Sequence, residues 1–328
     1  MNRMVFLVLL VFGLYLTSCN TPVLESSTPK RFYIASDFLQ PKDAILFKDF
    51  SKKEKTRVVI LNWTADSIEQ HYAKFGYSSK FDAVLMKTTF AVNQFATQKI
   101  LHPIEANYLW QNKDFEAPNK EWITLGIDPY VIAGLKEKKV MHYNDLTWGN
   151  KWENKLTPEE MKAFNGAVVY QFGRKNLQNS IKWLKKLQQQ IAPAQPMLVA
   201  QPDSLADSTA LASFYLTRLS KINPKKEVFV YPSQIVRLGA FYDGINFGIA
   251  RHSSKYITAL HFIAFYTQPL NNQKLSKRLH VLPVENPHKQ SPFDYQNNYP
   301  ILFRGSPGEI APIFRNLSKI EVRIYGGN

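Results

Sequence analysis

The chain has 328 residues but only one cysteine, Cys19, and no segment after residue 30 is long and apolar enough to cross a membrane as a helix. A helix that spans the hydrocarbon core needs about 20 apolar residues. The single cysteine excludes a framework of disulfides within the chain. Short catalytic motifs are missing as well: there is no Gly-x-Ser-x-Gly, no His-x-x-x-His and no Gly-rich phosphate loop. We therefore expect a protein that is not an enzyme.

Acidic residues are under-represented, which leaves a formal net charge of +15 from 41 Lys and Arg against 26 Asp and Glu. Such an excess is typical of proteins that bind nucleic acid, an anionic membrane surface or an anionic ligand. Here the basic residues are scattered in short groups such as Lys52-Lys53 and Lys185-Lys186, which is typical of solvated faces. The hydrophobic content of 45% and the length indicate a globular chain with room for two domains.

The N-terminus carries an apolar segment, residues 4–16, behind Asn2 and Arg3. It is too short to span a bilayer and is typical of a secretory signal. Leu16-Thr17-Ser18-Cys19 then resembles the lipobox of bacterial lipoproteins, which implies that Cys19 is acylated after residues 1–18 are removed. The alternative is an ordinary signal peptide with an unmodified cysteine.

Residues 19–30 are rich in Ser, Thr and Pro and predict a flexible tether between the lipid and a folded domain. Together with the signal, this predicts a lipoprotein of the bacterial cell envelope, anchored in a membrane and facing the periplasm or the cell exterior. Export makes nucleic acid an unexpected partner.

Residues 31–104 alternate apolar runs with amphipathic segments. Strands are predicted at residues 32–35, 57–61 and 81–86, each followed by a helix, at residues 42–53, 66–75 and 90–98. This alternation predicts a parallel sheet with right-handed crossovers. Because ligands of such sheets bind beyond the carboxyl ends of the strands, the loops at residues 36–41, 62–65 and 87–89 are the candidate binding loops.

A second region continues the pattern less regularly. Further strands are predicted at residues 130–133, 167–171, 197–200, 227–231, 245–251 and 320–325, and helices at residues 175–190 and 256–266. Gly76 is placed to end the helix at residues 66–75.

A series of short segments occurs in a defined order along the chain. They are Ala35-Ser36, Ala65-Asp66, Phe81-Asp82-Ala83-Val84, residues 99–104, Tyr143-Asn144-Asp145-Leu146 with Trp148 and Trp152, residues 211–219, residues 259–266 and Leu282-Pro283-Val284. In this order and spacing, over about residues 31 to 285, they resemble segments of the substrate-binding proteins of bacterial ferric-iron ABC transporters.

The resemblance implies an α/β, two-lobed periplasmic-binding-protein type II fold, in which each lobe is a mostly parallel sheet flanked by helices. Residues 31–125 plus 236–285 would form lobe 1, and residues 126–235 plus 286–328 would form lobe 2. Hinge strands are expected near residues 125–133 and 231–239. The implied partners are a small solute or metal ion in the cleft and an ABC transporter permease, and the expected state is a monomer.

The family's iron ligands are mostly replaced by other residue types. The first-loop ligand position falls on Asp37-Phe38-Leu39, the acidic position after the third strand on Lys87, and the tyrosine pair on Phe214-Tyr215. Only Tyr215 keeps a side chain suited to ferric iron, a hard cation that favours phenolate and carboxylate oxygen. One phenolate holds the ion weakly, and a lysine ammonium repels it.

The replacements themselves predict a small anion as the ligand. Ser36, Lys87, Thr88 and Thr89 would donate to the anion, and Phe38 and Phe214 would form apolar walls of the cleft.

Two alternatives stay open. Ferric iron could bind as cargo through Tyr215 and a rearranged set of oxygens, drawn from Asp37, Asp243, Tyr130 and Tyr242. The other alternative is a structural or interaction lipoprotein that retains the fold and binds no solute. An interaction protein is expected to stay open, whereas a transport receptor is expected to close on its solute.

Overall fold

The computed structural model describes residues 30–105, 117–134, 152–154, 156, 158–173, 177–190, 211–215, 228–230, 241–284 and 307–325. The described strands are β1 (Lys30–Ser36), β2 (Thr56–Asn62), β3 (Ala83–Met86), β4 (Leu101–His102), β5 (Trp122–Gly134), β6 (Trp152–Asn154), β7 (Leu211–Tyr215), β8 (Val228–Val230) and β9 (Tyr242–Ala250). They join in the order β2-β1-β3-β9-β5-β7-β6, with β4 beside β9 and β8 beside β5.

Helices connect and cover these strands. The described α-helices are α1 (Lys48–Lys53), α2 (Ala65–Phe75), α3 (Thr89–Thr97), α4 (Pro158–Gly173), α5 (Leu177–Gln190), α6 (Tyr256–Tyr266), α7 (Pro269–Leu279) and α8 (Pro307–Tyr325). A 3₁₀ helix, Pro41–Phe47, leads into α1. Helix α2 ends at Gly76, whose φ of +51° lies in the left-handed region that glycine enters at low cost.

The predicted alternation of strands and helices in the first hundred residues is confirmed. Strand β1 runs parallel to both β2 and β3, while β9 pairs with β3 in the antiparallel direction. Side chains alternate across β1, so Phe32 and Ile34 lie in one buried cluster and Ala35 in another. The sheet is thus covered on both faces, as parallel strands require.

Strand β5 passes through both parts of the sheet. Its residues 122–129 pair with β9, whereas residues 130–134 pair with β7 and β8. We call the part formed by β1, β2, β3, β4, β9 and residues 122–129 the first half-sheet. The part formed by residues 130–134, β6, β7 and β8 is the second half-sheet. The first expected hinge strand, residues 125–133, therefore lies within β5, where the pairing changes partner.

Helices α4, α5 and α8 pack together, and α8 also contacts α3. Two sequence expectations are wrong here. Residues 167–171, expected as a strand, lie inside α4, because Ala167, Val168 and Val169 are all buried in a helix that is covered on several sides. Residues 320–325, also expected as a strand, end α8, because Ile310, Phe314 and Leu317 extend a helical stripe of buried side chains into Ile320.

Several expectations lie outside the described residues. These are the signal, Cys19 and most of the tether, the strand at residues 197–200, and the second hinge at residues 231–239. The lobe boundaries stay predictions. Among the helices that the structure describes, none has the length and apolarity that crossing a bilayer requires.

Candidate functional site

The three candidate loops meet at the carboxyl ends of the strands, as predicted. The backbone N–H of Trp63 donates to the carbonyl of Ser36 at 3.0 Å, and the Asn62 side chain donates to the carbonyl of Leu39 at 2.8 Å. The backbone N–H of Lys87 donates to Asp37 Oδ1 at 3.1 Å. The loop after β3 is thereby joined to the loop after β1.

Ser36 and Thr88 hold the ends of these loops. The buried Ser36 hydroxyl accepts from the N–H groups of Phe38 at 3.5 Å and Leu39 at 3.4 Å. Thr88 caps the N-terminus of α3 by accepting from the Ala91 N–H at 3.3 Å. Both hydroxyls thus stabilise the backbone of the site, and their contact with a ligand stays a prediction.

Lys87 lies at the centre of a buried group of carboxylates. Its Nζ is 2.5 Å from Glu160 Oε1 in α4 and 3.9 Å from Asp128 Oδ2 in β5. The Lys87 side chain is 13% exposed, and those of Asp128 and Glu160 are 1% and 2% exposed. Screening by water is weak at such burial, so the attraction is stronger than that of a surface pair. An anion that binds Lys87 has to compete with Glu160.

Asp37 is the partly buried member of this group. Burial raises the pKa of Asp37 to about 6, and the Lys87 N–H and the Lys87 charge offset part of that rise. Glu160 adds a smaller repulsion that acts in the same direction as burial. Asp37 therefore sits close enough to both Lys87 and Glu160 to respond to their charges.

Asp243 lies opposite Asp128 in the β5–β9 ladder. Its Oδ1 accepts from the Thr89 hydroxyl at 2.5 Å, the Thr89 N–H at 2.8 Å and the Gly244 N–H at 2.7 Å. Burial raises the pKa of Asp243 to about 7, against the lowering effect of those donors, and the charge of Asp128 raises it further. Oδ2 of Asp243 is buried and has no hydrogen-bond partner among the described residues.

Asn246 connects this carboxylate to the crossing strands. It accepts from the Thr124 hydroxyl at 2.7 Å, and its amide donates to the Gly244 carbonyl at 2.6 Å and to Thr89 Oγ1 at 3.3 Å. This buried network fixes β5, β9 and the start of α3 relative to one another.

The remaining predicted residues lie around this group. Phe38 is partly buried and packs against the buried cluster that contains Phe32 and Ile34. In β7, Phe214 pairs with Val131 and Tyr215 with Tyr130, so the Tyr215 backbone lies two β5 positions from Asp128. The side chains of Phe214 and Tyr215 are outside what the structure describes, and their role in binding stays a prediction.

Glu160 was missed by the sequence reasoning, although it is the nearest partner of Lys87. It belongs to Pro158-Glu159-Glu160, and acidic residues at a helix start are typical whatever their function. Asp128 was not among the predicted site residues either. No grouping of three or more His, Cys, Asp or Glu within the described ranges is arranged to hold a metal ion.

No protein-family model and no curated protein sequence matches the chain. Solved structures do match. A Trichodesmium protein (IdiA, FutA) in complex with iron and citrate is 16% identical, with a TM-score of 0.75 over 90% of this chain and 99% of that chain. The ferric binding protein from Campylobacter jejuni is 18% identical, with a TM-score of 0.74 and the same coverage.

AfuA from Actinobacillus pleuropneumoniae, with exogenous fructose-6-phosphate bound, is 15% identical and has a TM-score of 0.69 over 92% of this chain and 100% of that chain. At such identities the likeness shows the fold. The chain has the two-lobed α/β fold of periplasmic binding proteins that the sequence resemblance predicted.

Proposed function

We propose that this chain is a lipid-anchored solute-binding protein that delivers a small ligand to the permease of an ABC transporter. The observation that carries the proposal is the match of fold over nine-tenths of the chain to solute- and iron-binding proteins. The buried polar group at the carboxyl ends of β1 and β3 supports it, because ligands of such sheets bind there. The protein acts as a monomer at the envelope and is not an enzyme.

The proposed ligand is a small anion. A structure of the same fold holds fructose-6-phosphate, which carries a phosphate group. Lys87 is the cation that would bind such a group, after exchanging Glu160 for the ligand. Ferric iron is the alternative cargo, supported by the iron-bound structure of this fold, and it would require Tyr215 together with oxygens such as those of Asp37 and Asp243.

One observation favours a second candidate function, an interaction lipoprotein that binds no solute. The ammonium of Lys87 is already paired with the carboxylate of Glu160. The positive charge of Lys87 is therefore neutralised without a ligand. Such a protein would use the outer surface of the fold and not the cleft.

Solute binding is tested on the full chain extracted from its own membrane in mild detergent. Native mass spectrometry, with elemental analysis, is expected to find one small phosphate- or carboxylate-bearing molecule for each chain, which is lost on denaturation. Stoichiometric iron would favour the ferric alternative. If the measured mass is repeatedly that of the processed protein without a bound solute, in cells grown on different media, the interaction lipoprotein would be favoured.

The lipid anchor is tested by Cys19→Ala. Acylation needs the cysteine sulfur, so the variant is expected to accumulate as an unprocessed precursor, while the wild type is cleaved and partitions into the detergent phase. Ser18→Ala is the matched control and should be processed as the wild type is. A wild type that is cleaved, carries no lipid and stays in the aqueous phase would contradict the anchor.

A further inference from the structure

Basic side chains that are scattered along the sequence are gathered by the fold at one end of the first half-sheet. Lys30 pairs with Thr56 in the parallel ladder of β1 and β2, and β3 runs in the same direction beside β1. Strand β9 is antiparallel to β3 and ends beside its start, where the Ala250 N–H donates to the Asp82 carbonyl at 3.0 Å. The turns into β2, β3 and β4 and out of β9 therefore lie together. We call this region the basic end, and its exposed basic residues are Lys30, Arg31, Lys55, Arg57, Lys74, Lys80, Lys99 and Arg251.

The positive charge of the basic end is not neutralised by the part of the chain that the structure describes. Within that part, none of these basic side chains forms an ion pair with a carboxylate. Arg31 and Arg57 are register partners on β1 and β2 and are both exposed, so two like charges lie side by side. Lys55 and Lys99 have φ angles of 49° and 59°, in the left-handed region that glycine enters at lower cost. This end of the molecule is therefore free to attract an anionic partner.

The acidic residues near the basic end do not offset its charge. Both carboxylate oxygens of Asp82 accept hydrogen bonds from within the chain at 2.9 Å, and Glu54 contacts Nδ1 of His261 at 2.9 Å. Glu105 follows β4 and Glu121 precedes β5, so both lie on the other side of β9 from β3. The buried carboxylates of the candidate site lie at the opposite, carboxyl ends of the strands. Charge is thus segregated along the strand direction.

Two exposed aromatic side chains lie at the basic end. Phe75 is 44% exposed and Tyr77 is 75% exposed, on either side of Gly76. The Lys74 Nζ lies 5.1 Å from the centroid of the Phe75 ring, whose other neighbour is His71 at 4.5 Å between centroids. Exposed aromatic rings beside lysines are typical of surfaces at the boundary between a membrane and water. The aromatic residues therefore favour a bilayer as the anionic partner.

The N-terminal segment joins the fold at the same end. Lys30 is the first residue that the structure describes and begins β1. Residues 19–29 separate it from Cys19, and a flexible chain of that length spans about 20 Å. A lipid on Cys19 would therefore keep the basic end close to the bilayer surface, where attraction between charges acts over about 8 Å at physiological salt. The tether raises the effective concentration of this surface at the membrane.

We propose that the basic end is a membrane-docking surface, which binds the anionic headgroups of the bilayer that holds the anchor, with Phe75 and Tyr77 at headgroup level. The inference rests on the proposed lipid anchor and adds an orientation to it. The loops of the candidate site lie at the opposite ends of β1 and β3, so docking points them away from the bilayer. Attachment through charge is reversible, which lets the domain leave the surface to meet a permease.

The test uses the full chain in vesicles and exploits the fact that Cys19 is the only cysteine. A fluorophore is attached to Ser78→Cys, next to Tyr77, or to Lys182→Cys on the exposed face of α5 as the matched control. The vesicles are phosphatidylcholine alone or a three-to-one mixture with phosphatidylglycerol. Flotation with neutral vesicles reports the lipid anchor, and shielding of the fluorophore from a water-soluble quencher reports docking.

The fluorophore at position 78 is expected to be shielded on anionic vesicles only, and to be exposed again in molar salt, which screens the charges. The fluorophore at position 182 should stay accessible on both kinds of vesicle. Lys74→Glu combined with Lys80→Glu is expected to weaken docking at least about 25-fold, because each basic side chain near an anionic surface strengthens attachment about fivefold. Lys182→Glu combined with Lys186→Glu changes the net charge equally on α5 and should leave the shielding at position 78 unchanged.

Contrary results are equally defined. Equal accessibility of position 78 on neutral and anionic vesicles would overturn the docking surface, as would equal losses of shielding in the two double variants. If the double variants do not fold, the comparison of lipids and of salt in the chain labelled at position 78 decides alone. Failure of the anchor is separate: a chain that floats only with anionic vesicles, with position 78 shielded, contradicts the anchor and supports the basic end.

Discussion

Phe262→Ala is expected to lower the free energy of unfolding by about 3–5 kcal/mol. Phe262 lies in α6 with no exposed surface, and its ring contacts those of Phe50 at 5.0 Å and Phe247 at 4.8 Å between centroids. Phe47 lies at 5.4 Å and Phe32 at 5.9 Å. Truncation would leave a cavity among rigid rings that cannot collapse into it, so both the transfer energy and the packing are lost.

The measurement is equilibrium unfolding in urea, followed by tryptophan fluorescence and circular dichroism. Ile257→Ala is the matched control, because Ile257 lies in the same helix and is 58% exposed. Its change should stay within about 0.5 kcal/mol. Equal losses in both variants would contradict the placement of α6 against the sheet.

Asp243→Asn is expected to remove much of the pH dependence of stability between pH 4 and pH 7. The folded state raises the pKa of Asp243 from 3.8 to about 7, chiefly through burial. A raised pKa means that the folded state binds the proton more tightly than the unfolded state. The resulting stabilisation is fully present below about pH 4 and is lost as the pH rises through 7.

The size of this effect is on the order of 4 kcal/mol between the two ends of that range, since each unit of pKa corresponds to about 1.4 kcal/mol. Urea unfolding at pH 4, 5.5 and 7 should show the free energy of unfolding falling less steeply in Asp243→Asn than in the wild type. Some slope should remain, because the pKa of Asp37 is also raised, to about 6.

Asp66→Asn removes an exposed carboxylate from the first turn of α2 and serves as the control, which should keep the wild-type slope. If the slopes of Asp243→Asn and the wild type coincide, the fold does not raise the pKa of Asp243, and the prediction is wrong.

The local sequence determined the strands and helices of residues 31–104. Residues 32–35, 57–61 and 81–86 are predominantly apolar segments, interrupted only by Arg57 and Asp82, and β1, β2 and β3 form over them. Because these strands alternate with amphipathic helices, few sheet topologies are possible. The parallel sheet, and the proximity of the loops at the carboxyl ends of its strands, could therefore also be predicted. Gly76 ends α2 because glycine adopts the positive φ found there at low cost, and this preference can be predicted from the residue type alone.

Where a segment is apolar on all sides, its hydrophobic residues show no helical or strand periodicity, and the sequence alone predicted the wrong secondary structure. Residues 167–171 are buried inside α4, and a short apolar run fits a buried strand or a buried helix equally. In the last residues of α8, apolar and polar side chains alternate as in a strand. They nevertheless form a helix, because α8 packs against α3, α4 and α5.

The charges of the cleft belong to tertiary structure in the same way. The sequence placed Lys87 at a binding loop, but only the fold brings in Glu160, which is 73 residues away along the chain. Asp128 and Asp243 become neighbours through the register of β5 and β9, which no local pattern encodes. The sequence therefore indicated which residue types lie at the cleft, but packing decided which partner each charged group has. Electrostatic pairing depends on the distance between two groups in space and not on their separation along the chain.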